Sequence, residues 1–138
     1  MKIFELPSEH GHLRGAIWDN VENPKGTIQI AHGLVEYHDR YDEFAKFLNE
    51  HGYIVYCNDH LGHGLHVKKG ELKGYFADEN GYEAVVDQLA EMNSVIRKAH
   101  PSLNHCFIGH SLGKALGLSF LKRNISFEAV ILSAPFSN

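Results

Sequence analysis

The chain has few cysteines, no long apolar run, no basic block and no low-complexity segment. Only Cys57 and Cys106 are present. Each falls in a stretch that reads as a buried strand, which predicts small core thiols in a reducing compartment. Their placement lacks the spacing of a metal site. No apolar stretch approaches the length of a bilayer span, so no integral membrane segment is expected. The opening Met1-Lys2-Ile3-Phe4-Glu5-Leu6-Pro7 has no apolar core and no cleavage signature, so a cytoplasmic location is expected. Net charge is -4, without basic and aromatic residues interleaved, which argues against nucleic acid as a partner. At 138 residues and 43% apolar content the chain has room for one domain with a real core.

Histidine, by contrast, is plentiful, with 11 copies. His60, His63 and His66 invite a metal reading by their regular spacing. Gly62 and Gly64 interrupt any helix that would align them, and no cysteine is near. A loop is the better reading, and no metal or cofactor is expected.

Hydrophobic patterning alternates strands and helices. His12 to Asp19 and Thr27 to Ala31 read as strands joined through the turn signal Asn23-Pro24-Lys25-Gly26, which predicts an antiparallel hairpin. Arg40 to His51 reads as a helix with Tyr41, Phe44, Ala45 and Leu48 on one face, stopped by Gly52. Tyr53 to Asn58 is a strand, and Leu61 to Asn80 a long irregular loop of the kind that often carries function. Gly81 to Ala99 is a helix with the stripe Tyr82, Val85, Val86, Leu89, Met92 and Ile96, closed before Pro101. His105 to Ile108 is a strand, Ser111 to Lys122 a helix, and Ala129 to Ser133 a last strand. A hairpin followed by strand–helix alternation predicts an α/β fold: a mostly parallel sheet with helices on both faces.

Gly109-His110-Ser111-Leu112-Gly113 lies between an apolar strand and a helix, the context in which G-x-S-x-G forms a nucleophile elbow. Glycines are needed there because the turn is tight and crossed by other backbone. Ser111 then sits at a helix N-terminus, where developing negative charge is favoured. Upstream, His32-Gly33 follows the strand Thr27 to Ala31. A turn there can offer the Leu34 N–H to an oxyanion, with the Leu112 N–H as the second donor. Beyond Ser111 there is no histidine, and Glu128 is the sole acid. The triad order in this kind of fold is Ser, then Asp or Glu, then His. The acid and base are therefore expected from elsewhere. His110 is a poor base candidate, since neighbours on an elbow point in different directions. His38 and His63 are only slightly better.

The run His32 to Tyr41 resembles the H-G-x-x-E-H-x-x-R-Y segment of monoacylglycerol lipases and related lysophospholipases, members of the α/β-hydrolase superfamily. Asp59-His60-Leu61-Gly62-His63-Gly64 is similar to that family's D-x-x-G-H-G loop, and Gly109 to Gly113 to its elbow. The resemblance runs from the first hairpin to Ser133-Ala134-Pro135. It implies the N-terminal portion of an α/β-hydrolase fold, with residues 1–138 a single truncated core. It implies Ser111 as nucleophile and Leu34 and Leu112 as oxyanion donors. His32, Gly33, Glu36, Arg40, Asp59, Gly109, His110 and Gly113 would support the floor of the site. The implied substrate is a monoacylglycerol-like or lysophospholipid-like ester. The family's cap and its acid- and histidine-bearing strands would follow the strand Ala129 to Ser133. Lys114 departs from the small residue usual after the second elbow glycine, and a cation there opposes the helix dipole.

Two functional expectations follow. One is a serine ester hydrolase half that lacks its triad acid and base. The other is a non-catalytic truncated fold or binding module. Under either, the Ala129–Ser133 strand is an open edge that should pair with a C-terminal half chain or a second copy. The family's sheet order also puts the Cys57 and Cys106 strands on either side of Thr27–Ala31, beyond disulfide reach.

Overall fold

The computed structural model describes residues 1–77 and 80–133. Asp78 and Glu79 of the long loop, and Ala134 and Pro135 at the end of the resemblance, lie outside the described residues. Six strands, β1 (Lys2–Ser8), β2 (Gly11–Trp18), β3 (Gly26–Ala31), β4 (Tyr53–Asn58), β5 (Asn104–His110) and β6 (Ala129–Ser133), form one sheet in the order β1-β2-β4-β3-β5-β6. The helices are α1 (Asp42–Glu50), α2 (Leu65–Lys68), α3 (Gly81–Ala99) and α4 (Leu112–Leu121), with a 3-10 turn over His38–Tyr41.

The four strands β4, β3, β5 and β6 are parallel, and β2 meets β4 antiparallel. The fold is therefore α/β and mostly parallel, as expected. The hairpin is not the expected one. β2 pairs with β1, from Lys2 opposite Ile17 to Ser8 opposite Gly11, and β3 lies beyond β4. The segment Asn23 to Lys25 is part of a crossover between strands that are not neighbours. β1 escapes sequence patterning because its side chains are largely exposed and Pro7 interrupts it. An edge strand tolerates both features.

Side chains leave β3 alternately for the two faces, as the strand period requires. Ile28 and Ile30 join Trp18, Val55, Cys57 and Ala45 beneath α1. On the other face Ala31 packs with Val85, Leu89, Phe107, Leu116 and Phe120 beneath α3 and α4. Gln29, also buried, donates to the Leu89 carbonyl at 3.0 Å and accepts from Asn93 at 3.2 Å, so the polar residue in the strand is matched within the core. The expected helical faces hold with two exceptions: Phe44 and Tyr82 are exposed. Tyr82 instead donates its hydroxyl to the Ala115 carbonyl, tying α3 to α4. Most of the long loop is irregular, but it contains the one-turn helix α2. β4 and β5 flank β3, and both cysteines are free.

This topology places the ends of β3, β4 and β5 side by side. Residues 32–41, 59–64 and 109–113 emerge together at the carboxyl edge of the parallel strands, where open α/β sheets build their binding sites.

Candidate active site

β5 runs into α4 through a single residue, Ser111, which has φ 56° and ψ −116°. That backbone lies outside the regions an L-residue ordinarily adopts, so the turn is strained and must be held by its surroundings. It is held from both sides. The Ser111 N–H donates to the Ser133 carbonyl on β6 at 3.0 Å, and the Lys114 N–H donates to the Ser111 carbonyl at 2.9 Å. The flanking glycines are there for space. An ideal Cβ on Gly109 would lie 2.5 Å from the Gly113 carbonyl oxygen, and one on Gly113 would lie 2.9 Å from the His32 carbonyl oxygen. The elbow expected from the pentapeptide is present, and it packs against the end of β3.

The His32-Gly33 turn meets Ser111 directly: an ideal Cβ on Gly33 would be 3.2 Å from the Ser111 Cβ. Glu36 organises this turn. Its Oε1 accepts from the Gly33 N–H at 2.7 Å and from the Tyr41 hydroxyl at 2.8 Å, while Arg40 Nε reaches its Oε2 at 2.8 Å. Burial, reinforced by the bond to Glu36, pushes the Tyr41 phenol well above its usual range, so it stays a donor. The Leu34 N–H donates no hydrogen bond among the described residues. The Leu112 N–H, first in α4, is one that no carbonyl of its own helix can accept.

Two buried histidines brace the turn against the Asp59 loop. His32 Nε2 accepts from the His60 N–H at 2.9 Å, so the ring proton is on Nδ1, which donates to the Gly33 carbonyl at 2.7 Å. His60 returns the contact, donating from Nε2 to the His32 carbonyl at 2.9 Å. Burial lowers the pKa of His32 to about 3 and that of His60 well below its ordinary value, so both rings are neutral struts.

Asp59 is fully buried. It accepts from the His38 N–H at 2.9 Å, from His38 Nδ1 at 3.0 Å and from the Leu65 N–H at 3.0 Å. Gly64 is required beside it, since an ideal Cβ there would be 2.6 Å from the Asp59 Cγ and 2.7 Å from the Tyr37 Cβ.

Ser111, Gly33, Glu36, Arg40, His32, Gly109, His110, Gly113 and the Asp59 loop are thus brought to one edge of the sheet. His110 turns toward β6, with Nδ1 3.0 Å from the Ser133 hydroxyl and Nε2 3.8 Å from Glu36. His38 is committed to Asp59. No hydrogen bond joins His38, His63 or His110 to Ser111 among the described residues. The spaced histidines share no ligand geometry, since His60 and His66 each spend Nε2 on a backbone carbonyl and His66 Nδ1 meets Arg14 at 3.0 Å. Among the described residues the one close group of ligand-type side chains is Glu9, His10 and Asp87, and Arg123 already pairs with Asp87 at 2.6 Å. Sequence reading overlooked the His32–His60 brace, the His38–Asp59 pair and the Tyr41–Glu36 bond. Only the last, within one short segment, left a local signal.

The family described as serine aminopeptidase, S33, matches residues 22–138. The chain belongs to that family. It is 31% identical over 137 residues to the monoglyceride lipase homolog of Monkeypox virus, covering 99% of this chain and 47% of that protein. It is 29% identical over 119 residues to rat (Rattus norvegicus) monoglyceride lipase, covering 86% and 37% respectively. Phospholipase YtpA of Bacillus subtilis is 28% identical over 118 residues, with 83% and 42% covered. The chain therefore spans less than half the length of these curated relatives. Among solved structures, the fold matches a thermostable carboxyl esterase from Bacillus coagulans with a TM-score of 0.87 at 23% identity, over 95% of this chain and 43% of that one. The six-stranded sheet and its helices are those of the α/β-hydrolase fold. Among the described residues, no helix is long and apolar enough to cross a membrane.

Proposed function

We propose that residues 1–138 are the nucleophile half of a serine carboxylic-ester hydrolase acting on a monoacylglycerol-like or lysophospholipid-like lipid. The observation that carries this reading is the Ser111 turn: a strained residue at the N-terminus of α4, with the Gly33 turn 3.2 Å away on the ideal-Cβ measure. Ser111 Oγ attacks the ester carbonyl. The developing oxyanion takes the Leu34 and Leu112 N–H groups, which supports the tetrahedral intermediate at the moment charge forms. Collapse releases the alcohol and leaves an acyl-Ser111, which water then hydrolyses. Glu36, with Tyr41 and Arg40, holds the turn that aims Leu34. The general base and its acid partner come from a C-terminal portion for which the longer relatives have room.

That portion, or a second copy of the chain, pairs at β6. Among the described residues β6 has only β5 beside it, and Val130 and Ile131 are 40% and 57% exposed. An apolar strand with one free row of N–H and C=O groups favours a partner strand. Cytoplasmic action is part of the same reading.

Labelling with a fluorophosphonate probe tests it. The chain mixed with a C-terminal portion carrying an Asp and a His should label rapidly, and Ser111→Ala should abolish the signal. The chain alone should label slowly and turn over p-nitrophenyl esters feebly, because a triad enzyme without its base keeps only about 10³–10⁴ of rate over water. Rapid, Ser111-dependent turnover by the chain alone would refute the need for a second portion. No labelling in either condition would favour the non-catalytic reading.

A further inference from the structure

No histidine among the described residues is placed to activate Ser111: His38 is committed to Asp59, His110 turns toward β6, and neither they nor His63 bonds to it. One basic side chain of the same turn is still unassigned. Lys114 lies three residues beyond Ser111, so that Ser111-Leu112-Gly113-Lys114 reads S-x-x-K. In that spacing a serine nucleophile is followed one helical turn later by a lysine amine, and serine–lysine pairs recur on unrelated folds.

The geometry of the turn gives the spacing its force. Ser111 is the N-cap of α4 and Lys114 its third residue, and the Lys114 N–H closes the turn on the Ser111 carbonyl at 2.9 Å. Side chains of a helix lean toward its N-terminus. From this same position the Glu or Gln of a capping box reaches back to the N-cap residue. A lysine side chain is longer still, so its amine has the reach to meet the Ser111 hydroxyl. That hydroxyl is available. It does not cap the α4 N–H groups, as an ordinary N-cap serine does, and it makes no other hydrogen bond among the described residues.

Lys114 is available as well. It is half-buried, yet its side chain has no ion pair and no hydrogen-bond partner among the described residues. Other cations drawn in from solvent are matched: Arg14 by Glu5 and Glu71, Arg97 by Asn93 and the Ser126 carbonyl, Arg123 by Glu83 and Asp87. A cation in the first turn of a helix also opposes the dipole, so local stability does not account for a lysine here.

We propose that Lys114 is a second proton acceptor for Ser111, one that this chain carries itself. The inference rests on the nucleophile reading of Ser111 and goes beyond it by giving this half a base of its own. The neutral amine takes the Ser111 hydroxyl proton as Oγ bonds to the ester carbonyl carbon. The ammonium returns that proton to the departing alkoxide as the tetrahedral intermediate breaks its bond to the alcohol. In the second step the amine takes a proton from the attacking water and gives it to Oγ as the acyl–Oγ bond breaks. A histidine from a C-terminal portion outruns this route; without one, Lys114 carries the slow reaction that remains.

The test is fluorophosphonate labelling of the 138-residue chain alone, at mildly alkaline pH, where amines have a free-base fraction. The parent should label slowly and only through Ser111, so that Ser111→Ala is silent. Lys114→Ala should slow labelling about tenfold or more, a modest share of the roughly 10²–10⁴ that a well-positioned base contributes. Lys114→Gln should repeat the loss. Lys114→Arg should be as slow as Lys114→Ala, since a guanidinium keeps the charge but cannot accept the proton. Added ethylamine should restore part of the rate to Lys114→Ala and leave the parent unchanged. Circular dichroism checks that each variant is folded. An arginine variant as fast as the parent would show that charge alone matters, and an alanine variant as fast or faster would make Lys114 a bystander; either overturns the proposal. A chain that is silent alone but labels with a C-terminal portion present sinks this inference and leaves the hydrolase reading intact. Silence in both conditions sinks both.

Discussion

Replacing Gly113 by alanine should unfold the elbow's support, and the sign of the effect is informative. Gly113 lies in the first turn of α4, and its φ is not in the left-handed region, so an alanine there faces no backbone penalty. On helix propensity alone the change would stabilise by up to about 1 kcal/mol. The opposing effect is steric. The new methyl would lie 2.6 Å from the Ala31 carbonyl carbon and 2.9 Å from the His32 carbonyl oxygen, and closer still to the Ala31 oxygen. These are backbone atoms at the end of a central strand, so no side chain can rotate aside. Forcing α4 away from β3 costs at least as much as ordinary overpacking, about 3 kcal/mol net, which for a chain this size lowers the melting temperature by about 10 °C. Urea unfolding followed by Trp18 fluorescence and by circular dichroism measures it. Gly70→Ala is the matched control. Gly70 has φ 88° and nothing within 4 Å of an added Cβ, so only conformational strain of about 1–2 kcal/mol should appear. A Gly113→Ala protein as stable as the parent, or one no less stable than Gly70→Ala, would refute the close approach of α4 to the His32 turn.

Acidification should destabilise the chain through His32. Its folded pKa of about 3 lies below the unfolded value of 6.5, so stability is complete above pH 6.5 and is lost as pH falls toward 3, by up to about 5 kcal/mol; a His32 ring signal titrating near pH 6.5 in the folded protein would contradict this. Glu36→Ala should cost about 2 kcal/mol, because the Gly33 N–H and the Tyr41 hydroxyl both lose their acceptor, whereas Arg40→Ala removes an exposed ion pair and should cost under about 1 kcal/mol; equal losses in parallel urea titrations would argue against Glu36 as the organiser of the turn. Thiol titration should find two free cysteines after unfolding and slow reaction of Cys57 in the native chain, since it is buried and burial raises its pKa; an intact-mass deficit of two hydrogens in the unreduced protein would count against it.

What could be read from the sequence was what depends on neighbours along the chain. The elbow is legible because its constraint is local: a strand must reverse into a helix across one residue, and glycines must flank it. Glu36 and Arg40 are placed at the site floor by the family resemblance, and their ion pair, four residues apart, is what the folded turn adds. Strand order is a different kind of fact. Nothing between Trp18 and Gly26 states that β4 will enter between β2 and β3, because that choice is made by cores on both faces of a sheet assembled from distant segments. Asn-Pro-Lys-Gly is a sound turn signal that here serves a crossover, not a hairpin. β1 was hidden because an edge strand has little to bury.

The histidines show the same division at the level of chemistry. In sequence, His60, His63 and His66 are three equal ligand candidates, and His32 and His38 belong to a different motif. Folding sorts them by what each ring nitrogen meets. His32 and His60 close a reciprocal pair across two loops, and their burial forces both neutral. His38 is claimed by Asp59, 21 residues away in the chain. His66 is claimed by Arg14 and a carbonyl. His60 Nδ1 and His63 Nε2 are left as buried nitrogens with no hydrogen-bond partner among the described residues. Counting residues that can bind cannot find those atoms. Assigning every donor and acceptor around the site, and asking which are left over, does.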